Sequence, residues 1–257
     1  MTAMNILLPS PRFLLCTWLV SASTAAADPS QDIIAKGDAA DRKLQTKEAL
    51  AAYLEADKAQ PNQAAILVKI AKEYGGLMND AKTSAERKEA AAQSLAYSRK
   101  ALAADAKSSD ANLAVAISLG KSVEFMGNRE KVETSSQIKA YAEKALQLNP
   151  KSDYAHHMLG RWHQGLAGVG GATRVLAQVV YGGLPAATYQ EALDHFQKAR
   201  ALRPDRLVHQ IEYGRTLAMM GRKDEARTEI QKGLAMPNRE KDDPETKARG
   251  KETLDHL

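Results

Sequence analysis

One spacing recurs along the chain and constrains its fold more than any other feature: a packing residue, an alanine three positions later, and a helix stop five positions beyond. It reads Tyr53-x2-Ala56-x4-Pro61, Ala142-x2-Ala145-x4-Pro150 and Phe196-x2-Ala199-x4-Pro204, and in degenerate form Ser98-x2-Ala101-x4-Ala106. Four residues before Tyr53, Ala142, Phe196 and Ile230 lie Ala49, Ile138, Ala192 and Ala226. Positions four apart share a helix face. Small side chains at Ala49, Ala192 and Ala226 therefore let a second helix approach, a bulky residue one turn on plugs the gap, and proline ends the helix. The facing helices answer with small residues of their own in Lys36-Gly37, Ile70-Ala71, Leu159-Gly160 and Tyr213-Gly214. Each unit reads as a pair of packed helices.

The interval from Ala199 to Gly233 is 34 residues, the tetratricopeptide period. Ala56 to Ala101, Ala101 to Ala145 and Ala145 to Ala199 span 45, 44 and 54 residues, so three units carry insertions of about 10 to 20 residues relative to that period. The expectation is an all-α, tetratricopeptide-like helix-pair solenoid with insertions. Its repeats cover about 30–63, 64–108, 109–152, 153–206 and 207–240, and a polar helix over 243–257 caps the last one. The third insertion has its own character: a Gly-rich link over 165–171, an apolar helical stretch over 172–181, and a lead through Pro185 into a helix capped at Thr188 with Glu191 three later. Composition agrees. Aromatics make up 5% of the residues and charged residues 26%, which argues against aromatic-rich β-sandwich cores, disorder and a polytopic membrane protein.

Residues 1–27 read as an export signal rather than as fold. Arg12 closes a basic amino-terminal region, Phe13 to Val20 is an apolar run too short to span a bilayer comfortably, and Ala25-Ala26-Ala27 supplies a small-residue cleavage site. Cys16, the single cysteine, lies inside that run behind Leu14-Leu15, a poor context for lipidation. Cleavage leaves no cysteine, which suits a periplasmic location; the alternative is an uncleaved cytoplasmic, cytoskeleton-associated chain. The formal charge falls only from +5 to +4 with the loss of Arg12. Lys and Arg are interspersed with Asp and Glu, without the basic stripe and stacking aromatics of a nucleic-acid binder, so no nucleic-acid partner is expected.

No phosphate loop, nucleophile elbow or zincin helix occurs in the sequence, and no cofactor is expected. The metal-dependent alternative would rest on His156, His157 and His163. His156 and His163 lie two turns apart and need help from another segment to meet one ion, so the reading favoured here is structural. His195 and His209 read as isolated surface or core residues.

The stretch from about Leu119 to Leu257 resembles the regulator of microtubule dynamics family. The residues that carry the likeness are His156-His157-Met158-Leu159-Gly160-Arg161-Trp162, then the inserted helix, then Pro185-Ala186-Ala187-Thr188 through Glu191-Ala192-Leu193 to Phe196-Gln197-Lys198-Ala199. The resemblance implies a non-enzymatic helical scaffold that, in eukaryotic members, associates with microtubules or organelle membranes.

The expected function is a scaffold that binds a protein or peptide, of acidic character, in the concave face formed by the first helix of each repeat. Residues one position after each small crossing residue point into that face. They are Lys72, Arg161 and Arg215, with Asp38 the acidic exception and His157 one turn before Arg161. Arginine forks suit carboxylates; the alternative is that each pairs with an acid of its own or the next repeat. Trp162 is expected to pack against the inserted helix and Arg161 to pair with an acid such as Glu191. Val175, Leu176, Val179, Val180 and Tyr181 are expected to fill the angle between repeats, with an exposed partner patch as the alternative.

Overall fold

The computed structural model describes residues 29–257; the export signal expected over residues 1–27 lies outside them. Among the described residues the chain forms α-helices and no strand. Five helix pairs follow one another: α1 (Pro29–Arg42) with α2 (Thr46–Ala59), α3 (Ala64–Asp80) with α4 (Ser84–Ala104), α5 (Ser109–Ser122) with α6 (Asn128–Leu148), α7 (Asp153–Ala167) with α9 (Tyr189–Leu202), and α10 (Leu207–Met219) with α11 (Lys223–Ala235). The inserted α8 (Gly171–Tyr181) interrupts the fourth pair, and α12 (Asp243–Asp255) ends the chain against α10 and α11.

Local chemistry sets the boundaries. Thr83 and Thr188 begin α4 and α9 with complete capping boxes closed by Glu86 and Glu191, and Ser108 and Ser152 cap α5 and α7 by accepting from the third backbone N–H. Gly182, at φ 78°, ends α8 in the left-handed conformation that glycine adopts without penalty.

The crossings are as tight as the spacing implies. A Cβ at Gly37 would lie 2.5 Å from the Tyr53 ring, at Gly160 2.7 Å from the Phe196 ring, and at Gly214 2.7 Å from the Ile230 side chain. All three plugs are fully buried, as are Ala49, Ala192 and Ala226 one turn before them. Burying such a side chain contributes about 1.5–3 kcal/mol relative to leaving it exposed.

Stacking of the pairs places α1, α3, α5, α7 and α10 side by side on one face. Ion pairs stitch the first two helices together, Lys69 to Asp38 and Lys72 to Asp41, both at 2.6 Å. The carboxy-terminal segment departs from simple capping. Between α11 and α12, residues 236–242 cross the face of the first helices, and Lys241 and Asp242 reach Asn79, Asp80 and Lys121 on α3 and α5.

Candidate functional site

A cavity of about 630 Å³ lies between α5, α6 and α7 on one side and the 236–249 segment on the other. Ile138, Met158, Trp162 and Val208 give it apolar walls, and its charged lining is mixed, with Lys121, Arg161 and Arg249 beside Glu240, Asp242 and Glu245. Trp162 is held there by α5 and α6, not by the inserted helix. Its ring packs with Val115, Leu119 and Ile138, and its indole N–H donates to the Ser135 carbonyl at 2.8 Å. The expected contact with α8 is thus replaced by a core position that presents one side of the ring to the cavity.

Beneath the cavity sits a charged hub. Glu212, fully buried on α10, accepts from Arg161 Nη1 at 2.8 Å and from Arg215 Nη1 at 2.8 and 2.9 Å; Arg249 Nε lies 3.4 Å away. Burial by itself raises a carboxyl pKa, but Arg161, Arg215 and Arg249 outweigh it and hold Glu212 well below the usual carboxylate range. Of the anticipated groove residues, Arg161 and Arg215 therefore converge on Glu212, and pairing with an acid is the arrangement found; His157 is buried and meets His209 at 3.1 Å instead of facing a groove. The acid is Glu212 of the next repeat, not Glu191, which caps α9 and approaches His163 at 3.2 Å. Lys72 does not join them; it binds Asp41 and stays half-exposed at the amino-terminal end. Arg161 contacts Glu212 and Gln164 through Nη1 alone and keeps 40% of its side-chain surface exposed on the cavity wall.

The histidines are neither isolated nor metal-binding in arrangement. His156 and His195 approach at 3.2 Å between their Nδ1 atoms, and His163 stacks on His195. His209, fully buried, lies 3.1 Å from His157 and 2.8 Å from the Asp153 carboxylate. This corrects the reading of His195 and His209 as lone residues. Burial, followed by the neighbouring His156 and His163, pushes His195 down to about 4, and burial pushes His157 well below its ordinary value. Among the described residues no group of three or more His, Cys, Asp or Glu is placed to hold a metal ion.

The inserted helix also departs from expectation. Val175, Leu176, Val179 and Val180 are 67%, 61%, 80% and 54% exposed, and only Ala177 of α8 is buried; Tyr181 is partly covered. The apolar stripe faces outward instead of filling the angle between repeats.

Sequence reasoning missed Glu212, Asn79, Lys121 and the 236–242 crossing. Glu212 had a local signal, since it lies three residues before Arg215 on the same helix face. The others meet across more than a hundred residues and leave no local pattern.

The family described as Regulator of microtubule dynamics protein 1-3 matches residues 33–257. The mouse (Mus musculus) Regulator of microtubule dynamics protein 1 is 30% identical over 158 residues, which cover 61% of this chain and 50% of the mouse protein. Regulator of microtubule dynamics protein 3 of Xenopus laevis is 29% identical over 138 residues, 54% of this chain and 30% of that protein. The matched part thus spans half or less of the length of these curated relatives. The crystal structure of a thermophilic TPR protein from Thermus thermophilus superposes with a TM-score of 0.63 at 16% identity, covering 88% of this chain and 98% of that one. At that identity the likeness shows the tetratricopeptide-like fold alone.

Proposed function

Because this chain belongs to the regulator of microtubule dynamics family, we propose that it is a non-enzymatic helical-repeat scaffold that binds a peptide or protein through its concave face. The observation that carries the reading is the 630 Å³ cavity, where apolar walls of Ile138, Met158 and Trp162 meet the partly exposed side chain of Arg161. A pocket of this kind receives an apolar side chain while a cation at the rim orients a carbonyl or carboxylate of the same ligand. Cross-linking capture from the native host, identified by mass spectrometry, tests it. Arg161→Ala together with Met158→Ala removes the specific captures while far-ultraviolet circular dichroism stays unchanged; captures that persist with undiminished yield remove the cavity from the binding surface.

The relatives' names connect them with microtubules. We place this chain outside the cytoplasm, on the strength of the apolar run ending at Ala25-Ala26-Ala27. Amino-terminal sequencing of native protein decides the point: a start near Asp28 supports export, and a start at Met1 or Thr2 returns the chain to the cytoplasm and brings the microtubule forward as partner.

A further inference from the structure

We propose that residues 236–242 form a strap that acts as an internal ligand of the concave face, and that a partner's acidic peptide segment docks by replacing the strap's carboxylates between Asn79, Lys121 and Arg206. The proposal rests on the concave face being the binding surface and specifies the chemistry of its partner.

The strap is seated as a ligand is seated. Asn79 donates through Nδ2 to Asp242 Oδ1 at 2.5 Å and to the Lys241 carbonyl at 3.3 Å. Lys121 Nζ donates to Asp242 Oδ2 at 2.9 Å while also reaching the Gly75 carbonyl at 3.3 Å. An amide and an ammonium thus bracket the two oxygens of one carboxylate, and the amide additionally reads the main chain of the residue before it. Recognition of side chain and backbone together is how grooves bind extended segments. Two residues earlier, Glu240 faces Arg206 at 3.5 Å. The groove therefore reads two carboxylates two residues apart.

The fit is incomplete at its second position. Arg206 Nε is buried without a hydrogen-bond partner, because 3.5 Å is too long for one. Burial also pushes Glu240 above its ordinary value, only partly countered by Arg206 and Lys72. A carboxylate seated closer would satisfy that orphan donor, and this gives a foreign segment its advantage over the strap.

The strap's carboxylates can be displaced while its main chain stays anchored to α12, where buried Asp243 accepts from the Arg239 and Glu240 N–H groups at 2.7 and 2.8 Å. None of its residues is buried, whereas Ile230 and Gly233 of α11 and Thr246 and Gly250 of α12 are. Its side-chain ties to the neighbouring helices are ion pairs of partly exposed groups, Arg239 to Asp205 at 3.0 Å and Lys241 to Asp80 at 2.8 Å. Pairs of this kind are weak and screened by salt.

The test uses the full chain and a fluorescein-labelled peptide with the sequence of residues 236–246, followed by anisotropy. Arg239→Ala/Lys241→Ala cuts the outer ties and leaves both subsites intact; it should bind the peptide about three- to tenfold tighter than wild type, the scale that two exposed ion pairs set. Asn79→Ala/Lys121→Ala should lose tenfold or more, as should a peptide in which Glu240 and Asp242 become Gln and Asn. Circular dichroism checks each variant, and Asn79→Ala by itself serves if the double variant is unstable. Equal affinity of wild type and the Arg239→Ala/Lys241→Ala chain overturns the strap as internal ligand. Binding indifferent to Asn79→Ala/Lys121→Ala overturns the acidic docking site as well, whereas the general scaffold reading falls only with the Arg161/Met158 captures.

Discussion

Replacing Glu212 by glutamine isolates the charge at the centre of the site while keeping its shape. The wild-type carboxylate offers two oxygens to Arg161, Arg215 and Arg249. Glutamine keeps one acceptor and turns an amide donor toward guanidinium donors. Removing one partner from a buried ionic cluster costs about 3–5 kcal/mol, because the charge left behind is not rehydrated. Arg161 is 40% exposed and regains water, whereas Arg215 at 15% does not, so the loss belongs near the lower end, about 3 kcal/mol. Urea unfolding followed by Trp162 fluorescence reads it, since Trp162 neighbours Arg161 on α7. The pH dependence sharpens the test. The folded-state pKa of Glu212 is held below its ordinary 4.5, so its contribution is fully present above about pH 4.5 and is lost as pH falls toward the folded value. Glutamine has no such contribution to lose. The gap between the two proteins should stand near 3 kcal/mol at pH 7 and narrow below pH 4.5. A gap under about 1 kcal/mol at pH 7, or one that stays constant down to pH 3, refutes the hub as an ionic cluster.

Gly160→Ala should destabilise although alanine favours helix by about 1 kcal/mol, because its Cβ would lie 2.7 Å from the buried Phe196 ring and overpacking costs about 1–3 kcal/mol. In a Phe196→Leu background the same change should become neutral or stabilising, and additive effects in the double-mutant cycle would show that the two residues do not share a crossing. His195, pushed down to about 4 from 6.5 by burial and by His156 and His163, binds its proton less readily folded than unfolded. Stability should therefore fall as pH drops from 6.5 toward 4, and His195→Gln should flatten the slope of unfolding free energy against pH in that window by up to one proton; parallel profiles for the two proteins contradict this.

The helix pairs were legible because their determinants are local. Gly37 and Gly214 each stand 16 residues before their plugs Tyr53 and Ile230, the fourth pair keeps the same crossing with α8 inserted between Gly160 and Phe196, and close packing leaves few alternatives. Polar partners follow no such period. Arg161 and Arg215 were placed on one face by register, yet their common acid lies 51 residues from Arg161, and nothing near Arg161 announces it. The stripe on α8 shows a different limit. Spacing at 175, 176, 179 and 180 establishes an apolar helix face but not what meets it, and in this chain that face is left outward. The strap was invisible for the same reason as Glu212, since Asn79 and Asp242 are joined by polar groups 163 residues apart.

The degenerate repeat follows the same packing rule as the regular ones. Where the first helix carries glycine, the plug is large, as in Gly37 with Tyr53, Gly160 with Phe196 and Gly214 with Ile230. In the second pair the crossing residue is Ala71, and the register sets Ser98 opposite it; in the third, Ala116 meets Ala142. All four are buried. A side chain added on one helix is matched by one reduced on the other, so the sequence can drift in pairs without parting the helices. The positions that follow the crossing residues, Asp38, Lys72, Arg161 and Arg215, are outside this packing constraint, yet each finds an opposite charge: Lys69, Asp41 and, for both arginines, Glu212. The concave face is therefore largely neutralised from within. Pairing is incomplete at two of its cations, at partly exposed Arg161 on the cavity wall and at buried Arg206 Nε beneath the strap.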